Sequence, residues 1–382
     1  MNKKHKLIYG FFHPPVRLFL KLKFGYTYET AKNLPENYIV LSNHVTDYDP
    51  IFVAASFPQQ MYFVASEHIA RWKTFFKFID YCFAPIMRYK GSIAATTVKE
   101  VFQKVRKGDN VCIFAEGCRT WDGITCPILP STGKMVKKAR CGLVTYRLRG
   151  GYFVSPNWSN TSNTRRGPIH GAPVNIYTKE QIAKMSVDEI NEIINRDLYE
   201  DAYEQQLLSP QKYSGKNLAE GMENLLFICP VCGKIDTIRT HENTVSCSAC
   251  DMKFTYNEYA MLNGISHKTV RELAKWQREQ VLEAAENKLS YTADSGSLAK
   301  ISNHEETIIA QGKITLSSTS LICGEKEIPL EDILDMAIHG KHGLVFTAQK
   351  TYYELLPDKE FNALKFLWLY EAYKKMNTTQ ED

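Results

Sequence analysis

Tyr38-Ile-Val-Leu-Ser-Asn-His-Val-Thr-Asp-Tyr-Asp-Pro50 decides how the first half of this chain is read. Tyr38 to Leu41 is a short apolar run of the kind that fills a strand buried on both faces. The polar residues after it place His44 and Asp49 at the strand end, within one turn. A near-neutral imidazole can take a proton from an alcohol, and a carboxylate on its second nitrogen fixes its tautomer and steadies the imidazolium. The same residues have a plainer reading, in which Asp49 caps a helix whose first residue is Pro50 and His44 is an ordinary loop histidine.

A second apolar run, Asn110-Val-Cys-Ile-Phe114, leads into Ala115-Glu-Gly-Cys-Arg-Thr120. Between the two, Ala94, Val98, Val101, Phe102 and Val105 recur at helical intervals up to Arg106, and Gly108-Asp109 ends that helix. A further helix over 132–140 and a strand over 143–149 follow. Alternating strands and helices predict an α/β architecture with its site at the strand ends.

Read in order, His44 and Asp49 separated by four residues, then Phe114-Ala-Glu-Gly-Cys-Arg119, resemble the motifs of glycerolipid acyltransferases of the lysophosphatidic acid acyltransferase type. Arg88, in Pro85-Ile-Met-Arg-Tyr-Lys90, matches the basic position of that family's second block. The resemblance covers about residues 30–205. Three positions depart from the family pattern: Ala115 where proline is usual, Cys118 where Thr or Ser is usual, and Thr145 at the proline of the fourth block.

The resemblance implies an acyltransferase domain with a mixed sheet flanked by helices. It implies transfer of a fatty acyl group from a thioester of coenzyme A or acyl carrier protein to the free hydroxyl of a lysophospholipid, 1-acyl-glycerol-3-phosphate first among the acceptors. In that reaction His44 is the general base and Asp49 orients it. Arg88 and Arg119 grip the acceptor phosphate, because a guanidinium fork matches phosphate oxygens in pairs. Glu116 points to the glycerol, and Gly117 lets the backbone approach the ligand and offers its amide to the developing oxyanion. Direct attack needs no protein nucleophile, although Cys118 raises the question of a covalent route. The alternative is a catalytically degenerate domain serving as a membrane scaffold that recruits partners.

At 382 residues and 44% hydrophobic content the chain can bury a large core and hold several domains. It has no apolar run long enough to span a bilayer. Its basic charge gathers before residue 30, where Lys3, Lys4, Lys6, Arg17, Lys21 and Lys23 face Glu29 alone. Leu7, Phe11, Phe12, Leu18, Phe19 and Leu22 lie among these charges, which suits a segment resting in an anionic lipid interface; a core-packed helix is the other reading. Basic residues spread through Met1 to Tyr26, with His13-Pro-Pro15 breaking the apolar part, do not make a secretory signal. Scattered cysteines suggest reducing surroundings. Together these features predict a cytoplasmic protein, peripheral on the inner face of the cell membrane.

Cys229-Pro-Val-Cys232 and Cys247-Ser-Ala-Cys250 have the spacing of two knuckles closing on one tetrahedral zinc ion. Four thiolates leave no open position, so the zinc expected there is structural. Lys234, Arg239 and Lys253 are offset by Asp236, Glu242, Asp251 and Glu258, so no basic patch marks this ribbon for nucleic acid. After a polar helix near 268–288 come short alternating runs and one closing helix, a pattern similar to a mainly β, pleckstrin-homology-like or GRAM-like barrel. The expected plan is a basic amphipathic segment (1–29), the acyltransferase domain (30–206), a linker (207–223), the zinc ribbon (224–260), a helical connector (261–290) and the PH-like domain (291–378).

Overall fold

The structure, a computed structural model, describes residues 3–66, 69, 73–88, 95–160, 164–302, 305–357 and 361–379. Tyr89, Lys90 and Ala94, quoted above, lie outside them, as does Met1. The chain divides into two compact units.

The first unit is built on a seven-stranded mixed sheet: β1 (Tyr26–Tyr28), β2 (Tyr38–Ser42), β3 (Met61–Ser66), β4 (Ile86–Arg88), β5 (Asn110–Phe114), β6 (Gly142–Arg149) and β7 (Ile169–Tyr177). Its order is β1-β7-β6-β2-β5-β3-β4. The strands from β6 to β4 run parallel, whereas β7 is antiparallel to β6 and carries β1 parallel to itself. Every residue of β2 is buried, as its unbroken apolar run requires of the strand at the centre of the sheet. Its neighbours are β5 and β6, so the chain order switches direction at β2, the place where open α/β sheets form their ligand crevice.

Helices cover the sheet: α1 (Lys3–Phe24), α2 (Asp49–Ser56), α3 (Lys73–Phe83), α4 (Ala95–Arg106), α5 (Ser131–Ala139), α6 (Gly151–Val154), α7 (Lys179–Lys184), α8 (Val187–Leu198) and α9 (Ala202–Leu208). Val101 and Val105 of α4, Val136 of α5 and Ile190, Ile194 and Leu198 of α8 join Ile39, Leu41 and Val111 in one core. Thr178 and Ser186 each form a reciprocal capping box, with Gln181 and Glu189, so α7 and α8 begin where the sequence signals them.

Helix α1 runs through Pro14 and Pro15 without interruption. Each proline removes a backbone donor, and contacts outside the helix's own ladder hold it. Tyr9 donates to the carbonyl oxygens of Ala54 and Phe57 (both 2.8 Å), and Arg17 clamps the Ala55 oxygen through Nε (2.9 Å) and Nη2 (2.6 Å). Leu20 and Phe24 are buried, while Leu7, Phe11, Leu18 and Leu22 are exposed. The helix therefore has both a packed side and an apolar exposed side.

Thr145, the departure in the fourth block, has a structural role. Its hydroxyl donates to buried Asp197 of α8 (2.8 Å), which also accepts from Asn175 (2.9 Å), Tyr177 (3.2 Å) and Arg196 Nε (2.9 Å). This network fastens α8 to β6 and β7.

The second unit contains a four-stranded antiparallel sheet, β8 (Ile238–His241), β9 (Thr244–Cys247), β10 (Lys253–Tyr256) and β11 (Leu262–Asn263), and helix α10 (Val270–Glu286). Gln277 of α10 accepts from the amides of Phe227 and Ile228 (2.8 and 3.0 Å) and donates to the Leu225 oxygen (2.8 Å). A seven-stranded antiparallel sheet follows: β12 (Tyr291–Ser302), β13 (Glu305–Leu316), β14 (Ser320–Cys323), β15 (Lys326–Pro329), β16 (Ile333–His339), β17 (Gly343–Ala348) and β18 (Thr351–Pro357), with α11 (Ala363–Thr379) closing it. The order is β15-β14-β13-β12-β18-β17-β16. Strand β13 runs on through Gly312, which lies opposite Gly296 of β12.

Asp197→Ala would strand three buried or half-buried donors at once. The expected loss is about 2–4 kcal/mol of unfolding free energy, read from urea midpoints; a loss below about 0.5 kcal/mol, the size of an ordinary surface change, would contradict the role given to this network.

Candidate active site

Strands β2 and β5 run parallel with Ser42 opposite Phe114. Two residues past each paired end stand His44 and Glu116, so strand register alone makes neighbours of positions 72 residues apart. The His44 amide donates to Glu116 Oε1 at 2.6 Å.

Asp49 opens α2 but does not cap it; its carboxylate reaches back into the turn before it. Oδ2 accepts from His44 Nδ1 (2.8 Å) and the Val45 amide (2.6 Å). Oδ1 accepts from the Thr46 hydroxyl (2.6 Å), and the Thr46 amide lies 3.0 Å from both oxygens. The Asp49 side chain is fully buried, while that of His44 keeps 22% exposure. A carboxylate only accepts, so in the neutral form of the imidazole the ring proton belongs on Nδ1 and Nε2 keeps its lone pair. Among the described residues Nε2 has no hydrogen-bond partner.

Residues 114–120 hold the other sides of His44. The Phe114 ring stacks on the imidazole with centroids 4.5 Å apart. The Thr120 amide donates to the His44 carbonyl oxygen (3.2 Å). Gly151 brings α6 against the same turn, where a β-carbon would collide with Val45. Sequence reasoning gave Phe114 and Thr120 no role, because neither residue type by itself signals a partner at position 44.

The remaining sequence-predicted residues divide into those drawn to His44 and one that is not. Glu116 is 9% exposed, and its second oxygen accepts from the Cys126 amide at 2.5 Å. Burial pushes its carboxyl up to about 8, against the opposing pull of the Cys126 and His44 amides. Arg119 donates through Nη1 to Asp47 (2.7 Å) and through Nη2 to the Ser155 oxygen (2.8 Å), so its fork already has partners. Gly117 adopts φ +70°, a left-handed conformation that favours glycine. Its amide donates to the Phe114 oxygen (3.2 Å), so the oxyanion role expected of it is not open to this amide as placed. Arg88 ends β4 on the same sheet edge, three strands from β2, roughly 14 Å at the usual strand spacing.

Cys229, Cys232, Cys247 and Cys250 gather in the second unit with their sulfur atoms within 4.8 Å of one another. Cys229 Sγ lies 3.7 Å from Cys250 Sγ, and Cys232 Sγ 3.8 Å from Cys247 Sγ. A regular tetrahedron of sulfurs about 2.3 Å from a central zinc has edges of about 3.8 Å. The cluster can hold a metal ion, and its geometry fits a closed four-thiolate site.

The raised carboxyl of Glu116 carries a sign for stability. In the folded state it binds a proton that the unfolded chain's glutamate, near 4.3, has released, so this group makes stability fall as pH rises from that value through about 8. Glu116→Gln should flatten that part of the curve of urea midpoint against pH; parallel curves for wild type and variant would contradict it.

The sequence matches the acyltransferase family model over residues 25–149, the span that contains His44, Asp49, Arg88, Glu116 and Arg119. No curated protein matches it. Among solved structures, the 1-acyl-sn-glycerophosphate (LPA) acyltransferase PlsC from Thermotoga maritima is similar at 16% identity and a TM-score of 0.39, over 50% of this chain and 76% of that one. The stretch that matches the acyltransferase family, residues 25–149, is the one that brings His44 and Glu116 together at the ends of β2 and β5.

Proposed function

We propose that the chain transfers a fatty acyl group from a thioester of coenzyme A or acyl carrier protein to the free hydroxyl of a lysophospholipid, with 1-acyl-glycerol-3-phosphate as the leading acceptor. The observation that carries this reading is the His44–Asp49 pair, with Nδ1 held by a buried carboxylate and Nε2 left as the basic nitrogen. Nε2 takes the hydroxyl proton while the acceptor oxygen bonds to the thioester carbonyl carbon. The carbon–sulfur bond then breaks, and the imidazolium returns the proton to the leaving sulfur. Asp49 steadies the imidazolium between the two steps. An anionic headgroup on this edge lies between two long cationic side chains, Arg88 and Arg119, and displaces Asp47 from the latter.

Membrane attachment belongs to the same reading, since both substrates' acyl chains favour an interface. No helix among the described residues is long and apolar enough to cross a membrane. The exposed Leu7, Phe11, Leu18 and Leu22 of α1, set among its lysines, suit a helix lying in an anionic surface on the inner face of the cell membrane. That helix is hydrogen-bonded to α2, the helix that begins at Asp49. In the second unit we assign zinc to the four cysteines as a structural ion, and a PH-like role to the antiparallel sheet with its closing helix.

Three outcomes test these assignments. With acyl thioester and a lysolipid panel, wild type should yield the diacyl product by mass spectrometry, and His44→Ala should lower the rate by about 10²–10⁴ without a shift in melting temperature; equal rates would remove His44 from the chemistry, and a wild type without activity would favour the scaffold reading. Replacing Lys3, Lys4, Lys6, Lys21 and Lys23 by glutamine should release the protein from anionic vesicles, and unchanged co-sedimentation would count against attachment through α1. Metal analysis should find one zinc per chain, lost together with thermal stability in Cys247→Ser; a full-strength fold without metal would defeat that assignment.

A further inference from the structure

Glu116 stands between two segments that strand register does not otherwise join. One oxygen accepts from the amide of His44 and the other from the amide of Cys126, at 2.6 and 2.5 Å. The residue is nearly buried. Both oxygens are therefore engaged by backbone, and the near-complete burial of the carboxyl leaves little of it within reach of a substrate hydroxyl. With the ring fixed by Asp49 and the carbonyl oxygen by Thr120, the amide is the remaining handle on the His44 backbone, and Glu116 holds it.

We propose that Glu116 is a positioning residue for the acyl-transfer reaction: it bridges the His44 turn to the Cys126 loop and sets where Nε2 stands, without touching the acceptor. This rests on the reading of His44 as general base. A carboxyl group suits the task because both of its oxygens keep an acceptor lone pair, protonated or not, and so can meet two N–H groups from separate segments. Glutamine has the same size but offers one carbonyl oxygen and one NH2 group. It can keep one amide and must set donor against donor at the other. A base displaced by a fraction of an ångström loses rate steeply, because proton transfer and attack require close alignment. A group that bound the acceptor would act on affinity instead.

The experiment compares wild type and Glu116→Gln in steady-state transfer from palmitoyl-coenzyme A to 1-oleoyl-glycerol-3-phosphate, alongside site-resolved amide hydrogen exchange on both proteins. Wild type should protect the amides of His44 and Cys126, and the variant should lose protection at one or both. The variant's kcat should fall about 30–100-fold with acceptor KM within about twofold. A rise in KM with kcat retained would overturn the proposal by placing Glu116 on the acceptor, and kcat and KM both unchanged would overturn it as well. Fast exchange at both amides in wild type would overturn it even if the variant fails to fold. A wild type that transfers to no acceptor removes the general-base reading, and with it the catalytic half of the proposal, while the exchange data still decide the bridge.

Discussion

One buried carboxylate, Asp49, gathers four donor atoms from three successive residues, and that convergence makes a site out of a strand end. Without it the turn after β2 would expose the amides of Val45 and Thr46 and leave the His44 ring free to rotate. With it, the imidazole proton sits on Nδ1 and the basic nitrogen on the far side of the ring. The energetic logic is that of any buried carboxylate: it is tolerable only when its lone pairs are met, and here the donors of a single turn meet them.

The sheet supplies the second half of the constraint. Because β2 and β5 are parallel and in register, the residues that follow each are held side by side at the carboxyl ends, and the segment 114–120 closes on the His44 turn through a ring, a carboxylate, a guanidinium and an amide. Rigid strands therefore carry positional information that a loop alone would lack. The link from α1 through α2 to Asp49 extends the same frame to the helix we assign to the membrane surface.

Much of this was legible in the sequence because the relevant signals are local. The apolar run of β2, the capping boxes at Thr178 and Ser186 and the CxxC pairs depend on residues a few positions apart. What was not legible depends on distant partners. Nothing in residues 110–120 says that Glu116 meets the amides of His44 and Cys126 instead of a substrate, or that the Gly117 amide turns onto Phe114. Thr145 reads as a departure from a family pattern until Asp197 is seen against it. Strand β12, Tyr291–Ser302, lacks clean apolar alternation, and its pairing with β13 on one side and β18 on the other overrides that weak pattern. Helix α1 survives two prolines because α2 supplies acceptors for its side chains.

Asp49 holds the ring of His44 through Nδ1, so the neutral ring should carry its proton there. The most direct test is a nitrogen-15 spectrum of histidine-labelled protein recorded across a pH series, with His44→Ala identifying the signals of residue 44. While the ring carries a single proton, Nδ1 should be protonated and Nε2 bare; a proton on Nε2 with Nδ1 bare would contradict it.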